Sequence, residues 1–234
     1  MLAYVDIEAR WNVEDPVHGE HQRRVAEERT RNIANATGLP CKLVHYWDFS
    51  EDWMRENGVT GFVISGNLPD WVEYDWELFK PLQAAITSGD YPVLGVCGGH
   101  QLIGMTFGAP AEALTELQEG EVDLDPNYHP GMRKEKGWLP LQVHVPENPI
   151  FDGFEEKGPV VMESHYWELK ELPEGFKLLA STPWCEIQVM QHAEMPIFGT
   201  QGHPEAYTEQ YPDGKQFIRN WAKATGLIAD EEQA

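Results

Sequence analysis

Short apolar runs alternate with longer amphipathic stretches through the first hundred residues. Residues 2–7, 42–47, 61–65 and 93–96 are apolar runs of strand length, each followed by turn or polar residues. Between them, residues 17–37 are rich in Arg, Glu and Ala and stop at Gly38-Leu39-Pro40, the pattern of a terminated helix. Residues 73–88 and 99–107 read as two further helices. Strands alternating with helices predict parallel βαβ units, and so an α/β fold: an open, doubly wound, mostly parallel sheet flanked by helices. Ligands in such sheets bind beyond the carboxyl ends of the strands. The turn Ser65-Gly66-Asn67 and the segment after residue 96 both fall at such ends, which groups them in one site.

The pattern changes after Pro110. Residues 112–130 are acidic, lack a clear period and read as a loop at the mouth of the cleft. Shorter strand candidates follow at 139–145, 160–162, 177–180, 186–190 and 196–200, separated by turn residues, which predicts antiparallel or mixed additions to the sheet. Residues 215–225 form the last helix, and the acidic tail 229–234 is expected to fray. No repeat, low-complexity linker or composition shift divides the chain, so residues 1–234 are expected to be a single domain.

Composition narrows the function. The 234 residues carry a formal net charge of −22, which argues against a nucleic-acid or anionic-membrane surface. The cysteines, Cys41, Cys97 and Cys185, are sparse and lack metal-type spacing, so they point to a reducing compartment and to no metal. The N-terminal run is interrupted by an acid and lacks a basic start, and no run approaches a membrane span. A cytoplasmic protein that needs no cofactor is the expectation.

Candidate chemistry centres on Gly95-Val96-Cys97-Gly98-Gly99. This is the cysteine counterpart of the G-x-S-x-G elbow, a strained strand-to-helix turn that lifts its central residue into a cleft. The two outer glycines make room where strand and helix backbones close on each other. A helix starting after Cys97 would aim unpaired N–H groups at the sulfur, favouring thiolate and a developing oxyanion. The plainer alternative is a buried, inert cysteine at a strand end. A cysteine nucleophile needs a base. His203 is delivered at the end of the strand at 196–200, Pro204 stiffens the turn, and Glu205 can fix the imidazole tautomer. His100 lies inside the helix after the elbow, where packing suits it better, and His165 is a second site candidate.

Gly95-Val96-Cys97-Gly98-Gly99-His100-Gln101, joined to His203-Pro204-Glu205, resembles the class I (triad-type) glutamine amidotransferase family. Met162-Glu163-Ser164-His165, Leu172-Pro173-Glu174-Gly175-Phe176, Leu179-Ala180-Ser181-Thr182 and Ile197-Phe198-Gly199 extend the likeness, which is greatest to the glutaminase domain of GMP synthetase. The resemblance implies a flavodoxin-like sheet and a Cys97-His203-Glu205 triad. It further implies an oxyanion hole from Gly98 and the Gly66-Asn67 turn, and a grip on the amino-acid end of the substrate by Gln101 and the Ser164-His165 backbone. Cys97 would form a γ-glutamyl thioester from glutamine and release ammonia.

Three positions depart from the family pattern. Gly98 stands where Leu is common, Asn67 where Gly is usual, and Gly202 where an aromatic precedes H-P-E. His165 is followed by Tyr166-Trp167 rather than a small-acidic pair. The chain carries no nucleotide-binding signature of a synthetase, so amination would need a partner that receives ammonia. Two alternatives remain. One is a stand-alone hydrolase of γ-glutamyl amides or peptides, with Tyr166, Trp167, Trp184 and the loop around Trp138 lining a wider pocket. The other is a non-catalytic regulatory homologue.

Overall fold

The computed structural model describes residues 1–154 and 158–229. Twelve strands and six α-helices are present among them. The strands are β1 (Leu2–Asp6), β2 (Cys41–His45), β3 (Gly61–Ile64), β4 (Val93–Val96), β5 (Ala111–Ala113), β6 (Glu135–Pro140), β7 (Gln142–Val143), β8 (Val160–His165), β9 (Trp167–Leu169), β10 (Phe176–Ser181), β11 (Val189–His192) and β12 (Ile197–Thr200). The helices are α1 (Arg10–Val13), α2 (Gly19–Thr37), α3 (Glu51–Glu56), α4 (Lys80–Ser88), α5 (Gly98–Thr106) and α6 (Asp213–Ala224).

Eight strands form one sheet in the order β2-β1-β3-β4-β12-β11-β10-β7. The first five run parallel, and β11, β10 and β7 extend the sheet antiparallel. The expected doubly wound sheet with antiparallel additions is therefore present. Every residue of β1, β3, β4 and β12 is buried, as befits strands covered on both faces. Alternate side chains serve opposite cores. Tyr4, Val63, Leu94 and Phe198 meet Ile33 of α2 and Phe217 and Trp221 of α6. Val5, Phe62, Ile64 and Ile197 meet Leu82 of α4 and Leu102 of α5 on the other face.

Several boundaries differ from the sequence reading. The helix expected over 73–88 begins only at Lys80, because Asp70 and Asp75 cap two 3-10 turns, Trp71–Glu73 and Trp76–Phe79, ahead of it. The stretch at 139–145 is split between two sheets, β6 pairing with β8 and β7 with β10. The strand expected at 186–190 is shifted to Val189–His192, and α3, β5 and β9 were not foreseen. The acidic tail lies almost wholly outside the described residues. No helix among the described residues is long and apolar enough to cross a membrane.

A two-stranded ribbon and a loop complete the site. β6 and β8 form an antiparallel pair beside the main sheet, and Met162 of β8 bridges to His203. The loop at 112–130 is fastened by paired charges. Arg133 grips Glu121 with both contacts to one guanidinium nitrogen, Lys134 meets Asp123 at 2.8 Å, and Lys136 meets Asp125. The Lys134 hydrogen bond holds the Asp123 carboxyl down at about 2. The loop does reach the cleft, where Asp125 and Tyr128 form part of a cavity wall.

Candidate active site

Cys97 follows β4 directly and caps α5, with φ 51° and ψ −108°. A non-glycine residue at positive φ is strained backbone, as the elbow reading requires. Gly95 and Gly99 permit the bend, since a Cβ on Gly95 would stand 2.5 Å from the Gly99 carbonyl oxygen. The Cys97 N–H donates to Thr200 O at 2.8 Å, which ties the elbow to the end of β12.

β12 then carries the chain to His203, whose N–H donates to Met162 O at 2.7 Å. His203 Nδ1 lies 2.9 Å from Glu205 Oε1. Burial pulls the His203 pKa down, but attraction to Glu205 and to the Cys97 sulfur outweighs it and raises the imidazole well above its ordinary value. Burial pushes the Glu205 carboxyl up, yet His203 beside it brings the pKa below the usual value. Cys97, His203 and Glu205 thus meet, although His203 lies 106 residues after Cys97 in the chain. His203 keeps 19% of its side-chain surface open, so the pair faces the cleft.

Gly66 fits against both partners. A Cβ there would stand 2.9 Å from His203 Cε1 and 3.6 Å from Cys97 Sγ. The turn is pinned on several sides. Ser65 Oγ accepts the Ile7 N–H at 2.8 Å, Ser65 O accepts the Gly99 N–H at 2.8 Å, and the Leu68 N–H donates to Glu8 Oε2 at 3.0 Å. Gly98 is the first residue of α5, so its N–H has no intrahelical acceptor and is free to face a ligand. A Cβ on Gly98 would lie 1.8 Å from Asn67 Oδ1. The two departures from the family pattern are therefore one feature: the Asn67 side chain fills the space a side chain at 98 would need.

Two cavities open beside Cys97, sharing Asn67, Leu68 and Ser164. One, of about 230 Å³, is walled by Trp71, Gln101, Tyr128, Ser164, His165, Tyr166 and Trp167. The other, of about 290 Å³, lies towards α2 and is lined by Asp6, Glu8, Arg29, Gly66, His203 and Glu205 among others. Of the aromatics expected at a wide pocket, Tyr166 and Trp167 are present. Trp184 and Trp138 are elsewhere. Trp184 is 53% exposed, with the Arg133 guanidinium 3.7 Å over its ring, and Trp138 stacks on Tyr211.

His165 is buried beneath the first cavity. Its Nδ1 lies 2.9 Å from Trp167 O and its Nε2 3.0 Å from Glu135 Oε2. A carbonyl and a carboxylate both accept, so both ring nitrogens carry protons. Burial disfavours that charge, but Glu135 and Glu163 overcome it and lift the His165 pKa to about 10. Thr182 and Gln188 also donate to Glu135 Oε2 at 2.8 Å. Glu135, His165 and Cys185 could present metal ligands within 4.8 Å of one another. With both His165 nitrogens engaged, the cluster stands as a buried ion network. His100 is fully buried against Gly199, and burial holds its pKa down at about 3, a neutral packing residue.

Glu135 and Gln188 were missed in the sequence and Thr182 entered only through the family likeness, since each lies far along the chain from the group it meets and gives no local signal of that contact. Gln101 was singled out, and its amide is already engaged. Oε1 accepts from Trp71 Nε1 at 2.8 Å, and Nε2 donates to Trp167 O at 3.1 Å and Gln201 Oε1 at 3.0 Å. Burial pushes the thiols of Cys41 and Cys185 up, Cys41 to about 12, and neither sits in the cleft beside His203.

The architecture and the sequence agree with known proteins. The glutamine-hydrolysing GMP synthase subunit of Pyrococcus furiosus is 40% identical over 138 residues, 58% of this chain and 62% of that relative's length. The corresponding GMP synthase subunit of Methanopyrus kandleri is 32% identical over 193 residues, covering 82% of this chain and 88% of the relative. A crystal structure from Thermoplasma acidophilum, provisionally assigned as the same GMP synthase subunit, superposes with a TM-score of 0.68 at 26% identity, covering 97% of this chain and 95% of that one. The family model described as glutamine amidotransferase class-I matches residues 27–224, and the chain belongs to that family.

Proposed function

We propose that the chain is a glutaminase that hydrolyses the side-chain amide of glutamine and supplies ammonia to a separate synthetase subunit. The observation that carries this reading is the His203 ring held between Glu205 and the Cys97 sulfur, with Cys97 lining two cavities and His203 one of them. Cys97 Sγ attacks the carboxamide carbon, and His203 takes the thiol proton. The resulting oxyanion is held by the N–H groups of Gly98 and the Gly66-Asn67 turn. The C–N bond then breaks as His203 returns its proton to the departing ammonia, leaving a γ-glutamyl thioester. Water, deprotonated by His203, cleaves the thioester to glutamate and free thiol. Glu205 keeps Nδ1 protonated and offsets the charge on the ring. The amino-acid end of the substrate rests in the aromatic-walled cavity against Gln101 and the Ser164-His165 backbone. The names of the Pyrococcus and Methanopyrus relatives support a GMP synthase as the recipient.

The walls formed by Trp71, Tyr128, Tyr166 and Trp167 favour a second reading, a hydrolase of γ-glutamyl amides with bulky leaving groups. Steady-state rates with glutamine, γ-glutamyl anilides and γ-glutamyl dipeptides separate the two. Glutamine should have the highest kcat/KM, and Cys97→Ala should abolish it. Much faster turnover of the bulky amides would contradict the ammonia-supply reading.

A further inference from the structure

Gln201 stands directly beside the sulfur because of strand register. In the parallel ladder Thr200 of β12 pairs with Val96 of β4, so the next residue on each strand, Gln201 and Cys97, are neighbours. Gln201 is fully buried, and its N–H donates to Gln188 O at 2.8 Å. Its side-chain Nε2 lies 3.5 Å from Cys97 Sγ. That contact is longer than the ~2.9 Å of an N–H···O bond, as the larger sulfur atom requires.

Which end of the Gln201 amide faces the sulfur is fixed from a distance. The indole N–H of Trp71 can only donate, so the Gln101 atom it meets must be Oε1. Gln101 Nε2 then faces two acceptors, the Trp167 carbonyl and Gln201. The Gln201 atom it meets must therefore be Oε1, and Nε2 is left pointing at Cys97. Reversing any one amide would set donor against donor or acceptor against acceptor.

We propose that Gln201 is a further catalytic residue: its side-chain amide donates to Cys97 Sγ and stabilises the thiolate, held in that sense by the one-way chain from Trp71 through Gln101. A thiolate accepts such a bond far better than a neutral thiol, because charge strengthens it. The inference rests on the Cys97 chemistry proposed above and adds a second stabilising group in addition to His203. The other titratable groups whose charge is felt at Cys97 are His203, His165 and Tyr128.

The test is the pH profile of Cys97 alkylation by iodoacetamide, read by mass spectrometry of the Cys97 peptide in the full-length protein. Gln201→Met keeps the length and removes the donor. It should move the profile up by about one pKa unit, a loss of about tenfold in rate below the midpoint, with the high-pH plateau unchanged. Trp71→Phe leaves Gln201 in place and removes one of the two groups that orient Gln101, the Trp167 carbonyl remaining, and should move the profile the same way by much less. Should Gln201→Met not fold, Gln201→Leu, which also lacks the donor, is read in its place. Profiles that superimpose on the wild type overturn the proposal. Alkylation needs no glutamine turnover, so a failed glutaminase assay and a failed Gln201 assignment are told apart.

Discussion

Two buried residues at the site carry stored free energy that can be measured. Cys97 sits at φ 51°, where a side chain is strained and glycine is not. Cys97→Gly should therefore be about 1–2 kcal/mol more stable than Cys97→Ala in urea unfolding, with both variants devoid of glutaminase activity. Equal stabilities would mean that the elbow holds no strain. Glu8 is buried beside Asp6, and burial, the larger cause, raises its carboxyl from 4.5 to about 7. The folded protein thus holds a proton that the unfolded chain releases near its ordinary value. That stabilisation is whole below about pH 4.5 and is lost as pH rises to about 7. Relative to Glu8→Gln, the wild type should lose up to about 3 kcal/mol of stability over that interval. Parallel stability curves for the two proteins would show that Glu8 does not titrate there. Because Glu8 accepts the Leu68 N–H, the same titration bears on the turn next to Asn67.

At the scale of elements, the site is a meeting of three strand ends, and its parts were unequally legible in the sequence. The Cys97 elbow and the His203-Pro204-Glu205 turn are local signals, compressed into five residues and three, and the structure unites them. The wall around them is not local. Glu135 reaches His165 only because β6 pairs with β8, and Gln201 reaches Cys97 only because β12 lies beside β4. No spacing within the chain announces either contact. Asn67 and Gly98 read as two separate departures from the family pattern until their contact is seen. Their packing makes a prediction. Gly98→Leu alone drives a side chain into Asn67 and should cut kcat/KM at least about a hundredfold, as displaced oxyanion donors do. Asn67→Gly alone should cost less, and the double variant should recover much of the loss, a coupling read from a double-mutant cycle. Strictly additive effects would deny that the two positions share one space. Gly202 is a parallel case, for a Cβ there would lie 2.4 Å from Glu163 Oε1.

For the whole molecule, the alternating strands and helices of the first half were readable because β1, β3 and β4 are apolar runs buried on both faces and turn residues set them off from the helices. The second half was harder, since its short strands draw their partners from distant positions and divide among three sheets. What the fold accomplishes is convergence: parallel strands β1, β3, β4 and β12 end on one edge, and there Cys97, His203 and the Gly66-Asn67 turn come together. The central claim is that this convergence makes a thioester on Cys97. Hydroxylamine intercepts thioesters, so the most direct measurement is γ-glutamyl hydroxamate formed from glutamine and hydroxylamine by the wild type and by Cys97→Ala. The account predicts hydroxamate from the wild type and none from the variant. Hydroxamate from Cys97→Ala at the wild-type rate, or ammonia released by the wild type with no hydroxamate formed, would contradict it.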